Sequence, residues 1–184
     1  MKKQRIKKTQ KKVIKQLFKG DYKALVIIAG ALLAAFIVNS FLITVVRIVG
    51  DSMQPTLYEN NWFLVDRLAY INSEPEYGDI IIFKKQDVTG GVIVKRVIGT
   101  PNDTVEIKNG FVYINGKLTE DEFSAASERD NFDKIIVNED SYFVLGDNRN
   151  SSSDSRIWDN PFVNRDEIIG KICFKLFPKI KNVT

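Results

Sequence analysis

One stretch of the chain is apolar without a break. Ala24 through Val46 runs for 23 residues with no charged side chain, bounded by Lys23 and Arg47. At 1.5 Å per residue a helix of that length spans about 34 Å, enough to cross a hydrocarbon core of roughly 30 Å. The apolar part of a cleaved leader is shorter, roughly 7–15 residues, and is followed by small residues at the cut. Here Ala29-Gly30-Ala31 and Ala34-Ala35 fall inside the run instead. The pattern predicts a retained transmembrane anchor over residues 24–46, because nothing else in the chain is apolar enough to cover every face of a buried helix.

Beyond Val46 the pattern becomes short and strand-like. Stretches rich in β-branched and aromatic residues recur at 62–65, 80–83, 92–98, 104–107, 111–114, 135–137, 141–145 and 168–176. Turn signals separate them: Tyr77-Gly78-Asp79, Gly90-Gly91, Pro101-Asn102-Asp103, Asn109-Gly110 and Asn115-Gly116. The two Asn-Gly pairs bracket Phe111 to Ile114, as consecutive tight hairpins require, since both central residues of such a turn need positive φ. No sustained 3.6-residue period follows Val46, so the reading is a mainly antiparallel β domain over residues 47–184, large enough for its own core. Residues 119–133 (TEDEFSAASERDNFD) are polar, acidic and poorly periodic, and read as a surface loop.

Charge adds an orientation. The chain carries 27 Lys plus Arg against 23 Asp plus Glu, a net of +4. Ten of those bases and one acid lie in residues 1–23, leaving 17 bases and 22 acids after them, so a +9 arm precedes a −5 remainder. A basic arm alone is compatible with nucleic-acid binding, but the apolar run directly after it favours the lipid bilayer as partner, with no nucleic acid. The positive-inside rule then keeps residues 1–23 in the cytoplasm and the β domain outside it, on a cell-membrane protein that spans the bilayer once.

Composition narrows the chemistry. There is no His and one Cys, Cys173. A Ser-His-Asp triad, a Cys-His pair and a His-ligated zinc site are excluded. One thiol makes neither an internal disulfide nor a Cys-rich metal site, and no metal or other cofactor is expected. Within an apolar strand, Cys173 reads as a buried small hydrophobe. Catalysis would have to use hydroxyls, carboxylates, Lys, Arg, Tyr or the lone thiol.

Three segments offer such groups. Gly50-Asp51-Ser52-Met53-Gln54-Pro55-Thr56 follows the anchor, with Ser52 six residues after Val46; alone, a Ser in a Gly/Pro turn is usually a turn residue. Val92-Ile93-Val94-Lys95-Arg96-Val97-Ile98-Gly99 sets Lys95 in an otherwise apolar strand. Most such lysines reach solvent, yet one held in apolar surroundings has a depressed pKa, and at ~8 about a tenth of it is neutral at pH 7 and able to take a proton from a Ser hydroxyl. Gly146-Asp147-Asn148-Arg149-Asn150-Ser151-Ser152-Ser153-Asp154-Ser155-Arg156 packs acids, hydroxyls and arginines into eleven residues, a composition that also suits a capped surface loop.

In this order, behind an apolar segment, the three resemble bacterial type I signal peptidase in its compact Gram-positive form. The motifs are SMQPT at 52–56, GDIIIF at 78–83, KRVIGTPND at 95–103 and GDNRNSSSDSR at 146–156. The resemblance covers nearly the whole chain and implies a membrane-bound serine endopeptidase that removes signal peptides from secreted preproteins after small-x-small sites such as Ala-x-Ala. It makes Ser52 the nucleophile, Lys95 the general base and Ser152 the hydroxyl that orients the lysine ammonium. It assigns Asp147, Arg149, Asp154 and Arg156, with Arg96, to a salt-bridged framework.

Two positions depart from the wider family. Gly50 stands where some members carry a Ser that helps bind the oxyanion, and Asn102 replaces a commoner Gly in a turn where Asn also tolerates positive φ. Ile48, Met53, Leu57 and Val94 flank the pair and are candidates to line pockets that admit Ala. Trp62, Phe174 and Phe177 are candidates for the membrane interface, with core packing the equal alternative. The rival functions are an inactive, membrane-anchored relative that binds export machinery and a self-cleaving Ser-Lys repressor. Retention of Ser52 and Lys95 argues against the first, and the apolar run against the second.

Overall fold

The structure, a computed structural model, describes residues 22–34, 36, 42–85, 88, 91–119, 131–177 and 181–183. The chain divides into two units, Met1–Leu42 and Ile43–Thr184. In the first, residues 22–34 and 36 are helical, and Leu25, Val26, Ile27, Ile28, Leu32, Leu33 and Phe36 are exposed. No helix among the described residues is long and apolar enough to cross a membrane. Most of the basic arm, residues 1–21, lies outside the described residues.

The second unit begins earlier than the hydropathy pattern suggests. Strand β1 is Ile43–Arg47, paired antiparallel with β2 (Trp62–Asp66). The expected anchor boundary at Val46 is therefore corrected: the last four residues of the uncharged run belong to the sheet, and Val46 packs against its core. The physical reason is that Ile43, Thr44, Val45 and Val46 are all β-branched, which favours an extended backbone, while a hydropathy window registers only that they are uncharged.

The remaining strands are β3 (Ile80–Phe83), β4 (Ile93–Gly99), β5 (Thr104–Lys108), β6 (Phe111–Ile114), β7 (Lys117–Leu118), β8 (Phe132–Ile136), β9 (Ser141–Leu145), β10 (Phe162–Asn164), β11 (Ile168–Phe177) and β12 (Lys181–Asn182). The larger sheet runs β1-β2-β11-β3-β4-β9-β10, with β12 added to β11; the smaller runs β7-β6-β5-β8. Every pairing is antiparallel, as expected for the mainly β reading. Asn109-Gly110 and Asn115-Gly116 have φ of 52°, 81°, 53° and 77°, the hairpin geometry their sequence predicts. β7, β10 and β12, two or three residues each, were too short to leave a periodic signal. Of the expected surface loop, residues 120–130 lie outside the described residues, while Phe132 and Asp133 open β8.

Three apolar clusters hold the sheets together. Met53, Leu57, Phe63, Val65, Ile80, Ile82 and Ile172 form one; Phe83, Val97, Tyr142, Val144 and Val163 belong to a second; Ile98, Val105, Ile107, Phe143 and Phe162 help join the small sheet to the large one. One detail of register prepares the site. β4 pairs with β3 from Arg96 down to Ile93, but with β9 only from Gly99 to Arg96. Residues 93–95 thus have no strand partner on their β9 side among the described residues, because the chain leaves β9 at Leu145 for the polar 146–156 segment.

Candidate active site

β4 and the loop after β1 bring the two central groups together. The loop is clamped at its base by backbone bonds from the Ile48 N–H to the Asn61 carbonyl and from the Asn60 N–H to the Ile48 carbonyl. Residues 51–56 then turn sharply, the Leu57 N–H closing on the Met53 carbonyl at 2.8 Å. That turn lifts Ser52 to Lys95, whose Nζ donates to Ser52 Oγ at 2.7 Å although 43 residues separate them. Lys95 is 4% exposed, and burial pushes its ammonium down from the ordinary 10.5 to about 8. Asp154 and Asp147 partly offset that push, and the Arg156 guanidinium adds to it.

The next residue on the strand lives differently. Arg96 grips Asp147 with both ends of its fork, Nε to Oδ1 at 2.8 Å and a terminal nitrogen to Oδ2 at 2.7 Å. Its other terminal nitrogen donates to the Gly78 carbonyl at 2.7 Å, and both partners of the ion pair are buried. Arg156 makes the same two-pronged contact with the buried carboxylate of Asp154, at 2.8 and 2.9 Å, and also donates to the Arg149 carbonyl. Asp154 Oδ2 accepts the Gly146 N–H, and Arg149 Nε donates to the Gly146 carbonyl. Arg149, Asp154 and Arg156 are thus joined around Gly146, while Arg96 and Asp147 form their own pair one residue further along the chain.

This framework also holds the Ser52 loop. The Asn148 N–H donates to the Ser52 carbonyl at 3.0 Å, Asn148 Nδ2 to the Asp51 carbonyl, and Ser151 Oγ to Asp51 Oδ1 at 2.9 Å. Asn148, Ser151 and Asp51 escaped the sequence reading because Asn and Ser in a polar loop look like ordinary turn residues. Gly146 cannot be larger: a Cβ there would lie 2.2 Å from Ser152 Oγ and 2.6 Å from the Ser52 carbonyl oxygen. Ser152 is therefore close to the pair, but its buried hydroxyl makes no hydrogen bond to Lys95 or to any other described group. Gly50 has φ of +87° with open space where a Cβ would stand, so backbone conformation, not crowding, favours glycine there.

A cleft of about 770 Å³ opens over Ser52 and Lys95. Ile48, Met53 and Val94 line it; Leu57 does not, being fully buried in the core beneath. Ser153, Ile93 and Thr44 line it without having been singled out. Cys173 lies away from the cleft and is half-buried, not buried as its sequence context suggests, because the neighbouring β2–β11 register shift brings it to the rim of a second, polar depression. Trp62, Phe174 and Phe177 are exposed.

A hydroxyl held against a buried, partly neutral amine at the floor of an apolar cleft can perform acyl transfer without histidine. Comparison with known proteins agrees in class. The sequence model of the family described as signal peptidase, peptidase S26, matches residues 22–177. Signal peptidase I S of Bacillus subtilis is 35% identical over 167 residues, spanning 85% of this chain and 87% of its own. Signal peptidase I of Bacillus amyloliquefaciens is 33% identical over 183 residues, 94% and 96% of the two chains. A solved signal peptidase I from Enterococcus faecalis V583 is 33% identical, covering 54% of this chain and 97% of its own with a TM-score of 0.46. The chain belongs to the signal peptidase family, peptidase S26.

Proposed function

We propose that the protein is a membrane-bound serine endopeptidase that cleaves signal peptides from secreted preproteins after Ala-x-Ala-like sites, with Ser52 as nucleophile and Lys95 as general base. The observation that carries this reading is the 2.7 Å contact between Lys95 Nζ and Ser52 Oγ at a lysine whose pKa burial lowers to about 8. Once the amine is neutral, the Ser52 O–H donates to its lone pair. Ser52 Oγ attacks the scissile carbonyl carbon while its proton passes to Lys95. The resulting ammonium returns that proton to the departing amine, leaving an ester between Ser52 and the signal peptide. Water, deprotonated by Lys95, then hydrolyses the ester.

The substrate is read as an added strand. Its extended segment lies along the open edge of Ile93–Lys95, beside the chain leading to Ser52, where backbone hydrogen bonds supply affinity and Ile48, Met53 and Val94 bound pockets sized for small side chains. Backbone N–H groups of the Ser52 loop are the candidate oxyanion donors, with Gly50 contributing flexibility but no hydroxyl. The apolar segment that begins at Ala24 is proposed as the single anchor, ending before Ile43, with the basic arm cytoplasmic and the β unit on the outer face. Exposed Trp62, Phe174 and Phe177 suit a domain that works at the bilayer surface.

The test is cleavage of a purified preprotein bearing an Ala-x-Ala site. Wild type is expected to cut at that site, whereas Ser52→Ala and Lys95→Ala lose at least about 10⁴-fold in rate. Normal cutting by either variant overturns the assignment.

A further inference from the structure

Resting on that reading, we infer that Ser153 is a substrate-binding residue, a hydroxyl donor to a main-chain carbonyl of the segment before the cleavage site, and that Trp158 positions it. Ser153 is exposed on the wall of the cleft that also holds Ser52 and Lys95. It lies in the chain that departs from β9, and so on the side where Ile93–Lys95 has lost its strand neighbour. Trp158 Nε1 donates to Ser153 Oγ at 3.1 Å. Trp158 itself is fixed, edge-on to Phe83 at 6.1 Å between ring centroids and beneath the Lys85 ammonium at 5.4 Å. Lys85, 2% exposed, is in turn tied to the Phe162 carbonyl at 2.7 Å. A surface serine is ordinarily free to rotate; this one is held from the core outward.

The direction of that bond decides what Ser153 does. An indole N–H can only donate, so it occupies a lone pair of Ser153 and leaves the hydroxyl proton to be given to an acceptor in the cleft. A segment with small apolar side chains at its recognition positions offers there only its backbone carbonyls. Ser153 therefore serves binding of any sequence that adopts the extended form, and the side-chain pockets supply the choice among them.

Steady-state kinetics on a peptide with an Ala-x-Ala site, using the full chain in detergent, tests this. Ser153→Ala is expected to raise KM about three- to tenfold with kcat within about twofold, the signature of lost ground-state binding. Ser153→Thr, which keeps the hydroxyl, restores most of the loss. Trp158→Phe, which keeps a ring and deletes the donor, raises KM about two- to threefold. An unchanged KM in Ser153→Ala, a fall in kcat alone, or a Thr variant no better than Ala overturns the inference, and the Ala and Thr variants decide it even if Trp158→Phe fails to fold. Should Ser52→Ala cut normally, the underlying reading falls instead; a dead Ser52→Ala beside a wild-type-like Ser153→Ala removes only this inference.

Discussion

Lys95 and Arg96 are consecutive on β4, both are buried cations, and they leave the strand on opposite sides. Arg96 meets a carboxylate fork to fork and a backbone carbonyl besides, so its charge is matched where it lies. Lys95 meets a hydroxyl, with carboxylates only at longer range, so burial wins and its pKa falls. The difference teaches how one strand carries both a neutralised framework cation and the proposed base. A guanidinium is permanently charged and suits a bidentate partner, while an ammonium can be made to give up its proton. Exchanging their partners would leave a rigid site with no base.

The largest effect expected from breaking this contrast is on activity. Lys95→Met removes the proposed base and should lower cleavage at least about 10⁴-fold, yet it also removes a charge that is costly to bury. Its melting temperature at pH 7 should not fall, and a gain of roughly 1–3 kcal/mol in stability is expected, read by thermal unfolding. Asp147→Ala makes the opposite kind of change. It takes the carboxylate away from the buried Arg96 guanidinium and should cost about 3–5 kcal/mol, a drop of roughly 10 °C in Tm, with activity falling as the folded fraction does. If Asp147→Ala instead left Tm unaltered and killed only the chemistry, the division between framework and base would be wrong.

pH sharpens the same comparison. In the proposed mechanism the working form of Lys95 is the neutral amine, so kcat/KM should rise about tenfold per unit as pH climbs toward about 8 and flatten above it. Stability follows the same group in the same direction. Folding lowers its pKa from 10.5 to about 8, so the unfolded chain holds more protons between those values and this contribution to stability rises with pH across that window. The pH dependence of Tm should lose that rise in Lys95→Met. The smallest effect is expected at Gly50→Ser. With open space but a φ of +87°, the cost is conformational, about 1 kcal/mol or 2–4 °C in Tm.

Much of this was legible along the chain. β3, β6 and β9 stand where stretches rich in β-branched and aromatic residues, bounded by turn chemistry, predict them, and the polar 146–156 segment announces itself by composition. Legibility failed where a local pattern has two outcomes. Ile43–Val46 is equally uncharged as the end of a helix or as a strand, and pairing with β2 selects the strand. Leu57 is close to Ser52 in sequence but turns into the core, because a tight turn reverses the chain between them. Asn148 and Ser151 look like turn formers until the loop they hold is in view.

By itself, the sequence determined which chemistry is possible. Without histidine, the chemistry has to come from hydroxyls, carboxylates, Lys, Arg, Tyr or the one thiol, and the four motifs place the hydroxyl and the amine in order. Only the tertiary structure decided that burial lowers the pKa of the amine at Lys95, that Arg96 beside it is neutralised by a carboxylate 51 residues away, and that Ser153 is braced by Trp158. The physical reason is range. Turns and strand propensity depend on neighbours a few residues off, whereas desolvation and ion pairing depend on what the sheet register brings across tens of residues.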